Sequence, residues 1–470
     1  MRQHVLAGFA AVLILAPPVA GQALRPLLGE PVPVVAFRDV TVIPIGTPGM
    51  LEHQTVMVRN GVIARIAPTA TVPLPDGARV VDGRGQFLLP GFADMHAHVW
   101  REVTLQLQLA NGVTMVRDMG GQPHFLWLRG VIREGARSGP RLVVASPIFE
   151  GTPPPEHADV IVTDGRIIVD DSAAAADSVV ATTRLPYDQI KVYNNLSTAA
   201  YRGIVTEARR VGIPVVGHVP FQVGLRGVFD AGQATIEHLR GYIAEAVPSD
   251  APDQPGADFR SRLVAWRHAD TTRLRALARE TARRGIWNVP TLVTQLDLLP
   301  TARIRELTDR PGWKECMLAT RADPVATRAR VPFYAVMNDA DFVATQQGVE
   351  VQKLLVRMLH EEGAGLLVGT DHRPRGYSLH WEMQELVSAG IPPWEVLRAA
   401  TLNAAQSLGQ EESHGSIAEG KVAELVLLSA NPVEDIRNTT AISAVYAAGR
   451  LIEAPELAAV RKAACEAISG

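Results

Sequence analysis

The stretch LLPGFADMHAHV, residues 88–99, decides the fold and points to a functional site. It is an apolar run typical of a buried strand, and it ends in two histidines one residue apart. Side chains two positions apart on a strand project from the same face, about 6.5–7 Å from each other. His96 and His98 would therefore converge on one point, which suits metal ligands better than core residues. Two surface histidines in a loop would give the same pattern, so this stretch alone leaves both interpretations open.

The composition is that of a soluble globular enzyme. The chain has 470 residues, of which 47% are hydrophobic and 20% charged, and its formal net charge is -3. This length allows a large domain plus a smaller one, with a substantial core. The nearly balanced charge gives no reason to expect nucleic acid or an anionic membrane as a partner. We expect a small-molecule substrate and a homo-oligomer.

The first residues have the layout of a secretory signal peptide. MRQHVLAGFAAVLILAPPVAGQA has a basic start, an apolar run from Val5 to about Ala16, and small residues at Gly21 and Ala23. The apolar run is shorter than the roughly 20 residues that span a membrane comfortably. We therefore predict a cleavable signal peptide at 1–23, a periplasmic or secreted protein and no stable membrane insertion. An uncleaved membrane anchor is the alternative.

The chain has two cysteines, Cys316 and Cys465. Export would permit a disulfide, but nothing in the sequence shows that these two residues meet. Neither has a partner at metal-ligand spacing. The sequence therefore predicts inert packing residues at both positions.

Strand patterns are concentrated at both ends of the chain beyond residue 23. VVAFRDVTVIPI (34–45) and HQTVMVRNGVIARIAP (53–68) lie near the N-terminus, and AELVLLSA (423–430) and ISAVYAAGRLI (442–452) lie near the C-terminus. Asn60 and Gly61 accept positive φ, so RNG (59–61) predicts a hairpin turn. We predict a small β-sandwich domain built from residues 24–88 and 415–460.

The middle of the chain, residues 89–414, alternates strand and helix patterns. Helical patterns cover 197–212, 271–285 and 351–363. The apolar runs that precede or separate such patterns are FLLPGFADMHAH, GVTMVRDMG, PRLVVASP, DQIKVYN, IPVVGHVP, ATIEHL, WNVPTLV and GLLVGTD. This alternation predicts an α/β fold, a (β/α)₈ TIM-like barrel, with a doubly wound open sheet as the alternative. Residues 242–350 exceed what the remaining units need, so we expect helical excursions or a lid there.

Polar residues stand in or at the end of five of these runs. In a barrel of this type, catalytic groups lie at the carboxyl ends of the strands. Each residue alone has an ordinary explanation: a satisfied loop histidine, a lysine reaching water, or an aspartate capping a helix. Together they predict a metal site, with the ligands His96, His98, Lys191, His218, His238 and Asp371.

At this point the chain resembles a known family. PGFADMHAH, the lone strand lysine, GHVP, TIEHL and GTD are similar to motifs of the amidohydrolase superfamily of metal-dependent hydrolases. The segment from SLHWEMQELVSAGIPPWEVLRAATLNAAQSLG onwards resembles the subgroup that holds imidazolonepropionase-like and Xaa-Pro dipeptidase-like enzymes. The resemblance covers nearly all of the chain after residue 23.

The resemblance implies a binuclear site. One ion would be bound by His96, His98 and Asp371, and the other by His218 and His238, with an N6-carboxylated Lys191 bridging the two. An unmodified lysine would be a cation beside two metal ions, which is electrostatically unfavourable. A single metal ion with the lysine turned away is the alternative. The mixed nitrogen and oxygen ligands favour Zn²⁺, although manganese, cobalt or iron could occupy such a site.

The expected chemistry is hydrolysis of an amide, peptide or cyclic-amide C–N bond by a metal-bridging hydroxide. Metal coordination lowers the pKa of bound water to about 7. Asp371 would act as general base and then as general acid toward the leaving nitrogen. The alternatives are lactone or ester hydrolysis at the same site, a mononuclear deaminase, or a non-catalytic barrel scaffold.

Five further residues are candidates for substrate binding. Arg373 and Arg375 lie shortly after Asp371 in the sequence. Arg240 and Tyr242 lie shortly after His238. Tyr193 shares a strand face with the lysine two positions before it. Because arginine binds carboxylates in a two-pronged manner, we expect a dipeptide or an N-acyl amino acid as substrate. Arginines that are solvated or paired with protein acids are an equally open interpretation.

Overall fold

A computed structural model describes residues 27–153, 165–256, 258–317 and 323–469. The predicted signal peptide at 1–23 lies outside these residues. The strands are β1 (Glu30–Pro31), β2 (Val34–Val42), β3 (Leu51–Arg59), β4 (Val62–Pro68), β5 (Arg79–Asp82), β6 (Phe87–Pro90), β7 (Phe92–Ala97), β8 (Val113–Asp118), β9 (Arg141–Val144), β10 (Phe149–Glu150), β11 (Ile167–Ile168), β12 (Ile190–Val192), β13 (Val215–Gly217), β14 (Thr235–Glu237), β15 (Trp287–Val289), β16 (Leu425–Leu428), β17 (Ile442–Ala447) and β18 (Arg450–Glu453).

The helices lie mostly between the middle strands and after them. They are α1 (Glu102–Ala110), α2 (Pro123–Arg133), α3 (Ser172–Thr182), α4 (Thr198–Val211), α5 (Gly224–Ala231), α6 (Tyr242–Ala246), α7 (Phe259–Val264), α8 (Thr271–Arg283), α9 (Arg305–Thr308), α10 (Trp313–Cys316), α11 (Pro324–Arg330), α12 (Pro332–Ala335), α13 (Asp339–Glu361), α14 (Tyr377–Ser388), α15 (Pro393–Ala399), α16 (Leu402–Ser407) and α17 (Ala454–Ser469). In the described ranges, no helix combines the length and apolar character that a membrane crossing requires. The three helical patterns read from the sequence correspond to α4, α8 and the second half of α13.

Strands from the two ends of the chain form one sheet. Its nine strands follow the order β1-β18-β17-β16-β6-β2-β3-β4, and β5 pairs with β2. Asn60 and Gly61 connect β3 to β4 with φ values of 49° and 78°, as the hairpin prediction requires. Val35, Val58 and Leu427 belong to a buried apolar cluster that both chain ends contribute to. The two ends therefore assemble in a single mixed sheet, while the β-sandwich and its bounds stay predictions.

The middle strands form two parallel sheets. One has the order β7-β8-β9, and the other has the order β11-β10-β12-β13-β14-β15. A parallel bridge between Ala145 and Gln189 connects them. The eighth predicted strand, 365–371, is irregular. It nevertheless makes a parallel bridge to β15 at Leu366, and the amide of Met95 in β7 donates a hydrogen bond of 2.9 Å to Val368.

Residues 242–350 contain the helical excursions that the sequence predicts. Helices α6 to α12 and the start of α13 all lie in this stretch, together with the short strand β15. The residues after β15 turn directly into a 3-10 helix at Leu292–Leu298, so the seventh strand is shorter than its apolar pattern predicts. This excursion forms one wall of the site described below.

The prediction for the cysteines is wrong. Cys316 at the end of α10 and Cys465 in α17 form a disulfide, although 149 positions separate them. The helix α17 runs past the predicted end of the small domain and packs against α1, where Arg461 donates a hydrogen bond of 2.6 Å to the carbonyl of Ala110. The chain fold, which the local sequence does not reveal, brings the two thiols together.

Candidate metal centre

The predicted ligands come from the carboxyl ends of different parallel strands. His96 lies in β7 and His98 just beyond it, Lys191 lies in β12, His218 follows β13 and His238 follows β14. The imidazole rings form a continuous group. The ring centroid of His96 is 5.5 Å from that of His98 and 4.5 Å from that of His238, and the centroids of His218 and His238 are 4.9 Å apart. The sheet order thus gathers side chains that are far apart in the sequence.

Asp371 faces three of these imidazoles. Its carboxylate oxygens lie 3.8 Å from Nε2 of His96, 3.6 Å from Nε2 of His98 and 3.7 Å from Nε2 of His238. One ligand atom each from His96, His98 and Asp371 lie within 4.8 Å of one another. Such ligands bind zinc at about 2.0–2.2 Å. These separations therefore allow the three side chains to bind a common ion.

The segment that carries Asp371 is fixed to strand β7. The buried carboxyl of Asp94 accepts hydrogen bonds from the backbone amide of Thr370 at 3.0 Å and from its hydroxyl at 2.8 Å. Gly369 permits the close approach, because a Cβ at this position would lie 2.7 Å from the amide nitrogen of His96. Asp371 itself has a φ of 46°, in the left-handed region. Strained backbone of this kind is concentrated at functional sites.

Three of the histidines are held through Nδ1. Each Nδ1 lies 2.7 Å from an oxygen of one neighbour, and the pairs are His96 with Glu237, His218 with Asn194, and His238 with Thr291. Partners of this kind fix the tautomer and the ring orientation of metal-binding histidines. They direct Nε2 of each ring into the site.

Glu237 and Arg117 form a buried ion pair beneath the histidines. The guanidinium of Arg117 donates a hydrogen bond of 2.9 Å to Glu237 and another of 2.6 Å to the carbonyl of Met95. Both charged side chains are fully buried. Sequence reasoning missed this pair, although Glu237 directly precedes a predicted ligand.

Burial keeps the histidines neutral. It lowers the pKa of His96 and His218 well below the usual value, and it lowers the pKa of His98 and His238 to about 4. At neutral pH each imidazole therefore has an unprotonated nitrogen, which is the form that binds a metal ion.

Two buried nitrogens show that the site suits a metal ion. Within the part of the chain that the structure describes, neither Nε2 of His96 nor Nζ of Lys191 has a hydrogen-bond partner. A buried polar atom without a partner is costly, and a buried unpaired charge is more so. Burial also lowers the pKa of Lys191 to about 8, so the neutral amine is far more abundant near neutral pH than in an ordinary lysine. These residues fit a metal ion.

Two cavities adjoin this group. Cavity A, about 400 Å³, is lined by His218, His238 and Arg240, among others. Cavity B, about 390 Å³, is lined by His98 and by residues of the loops after β7 and β8. Asp371 lines both cavities. A substrate bound across the centre would therefore place one part in each cavity.

Two of the five predicted substrate-binding residues lie in these cavities. Tyr193 lines both, and its ring stacks on that of His218 with centroids 4.1 Å apart. Arg240 lines cavity A. In the residues that the structure describes, its guanidinium makes no ion pair or hydrogen bond, and burial lowers its pKa.

The other three predicted residues do not line cavity A or cavity B. The hydroxyl of Tyr242 is buried and donates a hydrogen bond of 3.0 Å to Asn288, so this residue belongs to the core. Arg375 is buried and donates a hydrogen bond of 3.3 Å to the hydroxyl of Thr370, which helps to hold the strand-eight segment. Arg373 and Arg375 line a smaller cavity of about 110 Å³, which His98 also lines and Arg240 does not. Their role in substrate binding stays a prediction.

Cavity A has a second arginine that the sequence analysis missed. Arg262 lies in α7, within the helical excursion, and its guanidinium carbon is 5.3 Å from the ring centroid of Phe221. No strand-end pattern marks this residue. Its place in the cavity depends on how the excursion folds back over the strands.

The amidohydrolase family model matches residues 87–452. The chain belongs to the amidohydrolase family. An imidazolonepropionase from Idiomarina loihiensis is 21% identical over 411 residues, which are 83% of this chain and 88% of that protein.

Solved structures of amidohydrolases have the same fold. A structure named bottromycin amidohydrolase is 28% identical, with a TM-score of 0.73, and the match covers 93% of this chain and 90% of that one. A Xaa-Pro dipeptidase with bound methionine in the active site is 18% identical, with a TM-score of 0.65, and the match covers 90% of this chain and all of that one. The predicted family and the predicted enzyme class, a hydrolase of carbon–nitrogen bonds, are confirmed.

Proposed function

We propose that this amidohydrolase cleaves the amide or peptide bond of a dipeptide or an N-acyl amino acid, using two divalent cations, with Zn²⁺ as the expected metal. The observation that carries the proposal is the convergence of four neutral imidazoles, one carboxylate and one buried lysine at the same edge of parallel strands. A mixed nitrogen and oxygen set of this kind suits zinc. When bound, the cations supply Lewis-acid activation of water and of the scissile carbonyl.

The ligands divide between the two ions as the resemblance implies. His96, His98 and Asp371 would hold one ion, and His218 and His238 the other. The proximity of the first three ligand atoms, within 4.8 Å of one another, supports this division. In this proposal the middle strands form a (β/α)₈ barrel. The contacts of the irregular eighth strand with β15 on one side and β7 on the other support it.

Lys191 would bridge the ions as a carbamate. A neutral amine is the form that reacts with carbon dioxide, and the lowered pKa of about 8 supplies it. The carbamate replaces a buried cation with an anion that has two oxygens, which removes the unfavourable charge beside the metal ions. It also gives a role to a nitrogen that has no hydrogen-bond partner among the described residues.

Asp371 would move the proton. Its carboxylate is about 30% exposed, while the neighbouring His96 is buried, so it faces the space between the two cavities. From there it can accept a proton from the attacking water and deliver it to the leaving nitrogen. The guanidinium of Arg240 would bind the carboxylate of the substrate in cavity A.

Metal content and hydrolysis together test this proposal. Protein purified without chelator is expected to hold about two metal ions per chain and to release free amino acids from a library of N-acyl amino acids and dipeptides. Lys191→Met is expected to lose most of the metal and the activity. The matched control, Lys462→Met, alters an exposed lysine of α17 and is expected to keep both. Full metal content in Lys191→Met would contradict the bridging role.

A mononuclear deaminase is the second candidate. One observation favours it. The ligand atoms that lie within 4.8 Å of one another come from His96, His98 and Asp371, which are the ligands proposed for a single ion. About one metal ion per chain, with ammonia released from an amino-substituted ring and no free amino acid from the library, would support it.

Export through residues 1–23 and a homo-oligomeric state stay predictions.

A further inference from the structure

Cavity A has a large aromatic wall. Phe221 comes from the loop after β13, and Phe259, Trp266 and Tyr334 come from the helical excursion. The rings of Phe259 and Tyr334 meet edge to face, with centroids 5.5 Å apart. Aromatic rings favour this arrangement with one another and with a bound ring. The wall therefore offers a flat apolar group several well-oriented contacts.

The same cavity has two cations on its surface. Arg240 and Arg262 both line it. Among the described residues that line cavity A, Asp371 is the one carboxylate. Two guanidinium groups at a partly buried cavity are stabilised when an anion enters it.

We propose that cavity A receives the leaving amino acid of the substrate and selects one with a large aromatic side chain, whose carboxylate is bound by Arg240 and Arg262. This inference rests on the proposed function. Hydrolysis adds water across the amide: the acyl carbon gains hydroxyl, and the nitrogen gains a proton and leaves as the amine of the aromatic amino acid. Cavity B, which Asp371 also lines, takes the acyl group.

The size of cavity A supports this choice of leaving group. Its volume of about 400 Å³ lies within the range of pockets for drug-sized ligands, about 300–1,000 Å³. A pyrrolidine ring or a methyl group would leave most of the aromatic wall uncovered. An indole or phenyl ring would cover it, and burial of that apolar surface is favourable.

Binding of substrate fragments tests the inference without turnover. Isothermal titration calorimetry on the metal-loaded protein compares 3-phenylpropionate with propionate, which lacks the ring, and with 3-phenylpropionamide, which lacks the charge. Both acids can bind a metal ion through their carboxylate. The ratio of their dissociation constants therefore measures the contribution of the phenyl ring alone. We expect 3-phenylpropionate to bind at least about 10-fold tighter than either comparison ligand. Equal binding of propionate would overturn the aromatic part of the inference.

Two variants and a matched control locate the site. Arg240→Gln is expected to weaken 3-phenylpropionate binding by about 10-fold and to leave 3-phenylpropionamide unchanged. Leu298→Trp fills cavity A and is expected to weaken both ligands that carry a ring. The control, Arg226→Gln, removes an exposed cation that pairs with Glu245 nearby, and binding is expected to stay at the wild-type value. If Arg226→Gln weakens binding as much as Arg240→Gln, the ligand is attracted to positive charge in general. That result would overturn the assignment of the carboxylate to Arg240.

A substrate series separates this inference from the proposed function. N-acetyl-phenylalanine and N-acetyl-tryptophan are expected to be cleaved with kcat/KM at least about 10-fold higher than N-acetyl-alanine and N-acetyl-proline. Equal or faster cleavage of the small substrates would overturn the inference and leave the proposed function standing. Selective binding of 3-phenylpropionate with no cleavage in the series would overturn the proposed function and leave the ligand class of cavity A standing.

Discussion

Nδ1 of His96 donates a hydrogen bond of 2.7 Å to the carboxylate of Glu237, and both side chains are buried. A carboxylate can only accept, so the proton lies on Nδ1 and Nε2 faces the site without one. Arg117 balances the charge of Glu237 from the opposite side at 2.9 Å. The form in which His96 can bind a metal ion thus depends on Glu237, which is not one of the proposed ligands.

Glu237→Gln is expected to weaken metal binding by about 10–100-fold. The glutamine amide can donate to Nδ1 of His96, which moves the imidazole proton to Nε2 and removes the ligand lone pair. A chelator competition series on the purified variant measures the affinity. The control is Glu382→Gln, which changes another buried carboxyl and is expected to keep the wild-type metal affinity. Unchanged affinity in Glu237→Gln would show that the carboxylate does not set the tautomer.

Gly369→Ala is expected to destabilise the protein by about 1–3 kcal/mol and to lower its metal content. The new methyl group would lie 2.5 Å from Cγ1 of Val289 and 2.7 Å from the amide nitrogen of His96, so the segment that carries Asp371 must move. Thermal unfolding and metal analysis measure the two effects. Gly130→Ala in α2 is the matched control, since a Cβ there meets nothing within 4 Å, and it is expected to be neutral or slightly stabilising. A wild-type melting temperature and metal content in Gly369→Ala would contradict the packing argument.

Local rules in the sequence identify the proposed metal ligands. The alternation of side chains along a strand places His96 and His98 on one face, and the rule that catalytic groups follow the strands identifies His218, His238 and Asp371. The family resemblance joined these residues into one site. The structure brings the ligands together without any shift of the expected strand order.

The surroundings of the ligands could not be predicted in this way. Arg117 meets Glu237 across 120 positions, and the Cys316–Cys465 pair spans 149, so both depend on the packing of distant elements. Arg262 reaches cavity A from a helical excursion that has no repeating pattern. The position of Tyr242 in the sequence predicts contact with the substrate, but its side chain lies in the core.

Glu382 is expected to make the stability of the protein fall as the pH rises. Burial raises the pKa of this carboxyl to about 8, while in the unfolded chain it titrates near 4.3. The contribution of Glu382 to the free energy of unfolding is fully present below its pKa in the unfolded chain. It is lost as the pH rises through its pKa in the folded protein. Between these values the folded state holds one more proton, so the contribution falls by up to about 1.4 kcal/mol per pH unit.

Glu382→Gln removes this dependence. The amide keeps an oxygen to accept the hydrogen bond that the amide of Val293 donates to Glu382 at 2.6 Å, and it has no ionised form. The melting temperature of the variant minus that of the wild type is therefore expected to increase from pH 5 to pH 8. A difference that stays constant across this range would show that Glu382 is already ionised in the folded protein.

The disulfide between Cys316 and Cys465 is expected to stabilise the protein. It links α10, within the helical excursion, to α17 at the end of the chain, and it closes a long loop that restricts the unfolded state. Loss of such a bond costs about 2–5 kcal/mol in small domains. The double variant Cys316→Ser/Cys465→Ser is therefore expected to melt at a lower temperature than the oxidised wild type. A reductant should lower the wild-type melting temperature toward that of the variant and leave the variant unchanged. Metal content serves as the control, because neither α10 nor α17 contains a predicted ligand. A wild-type melting temperature that does not respond to reductant would contradict the stabilising role.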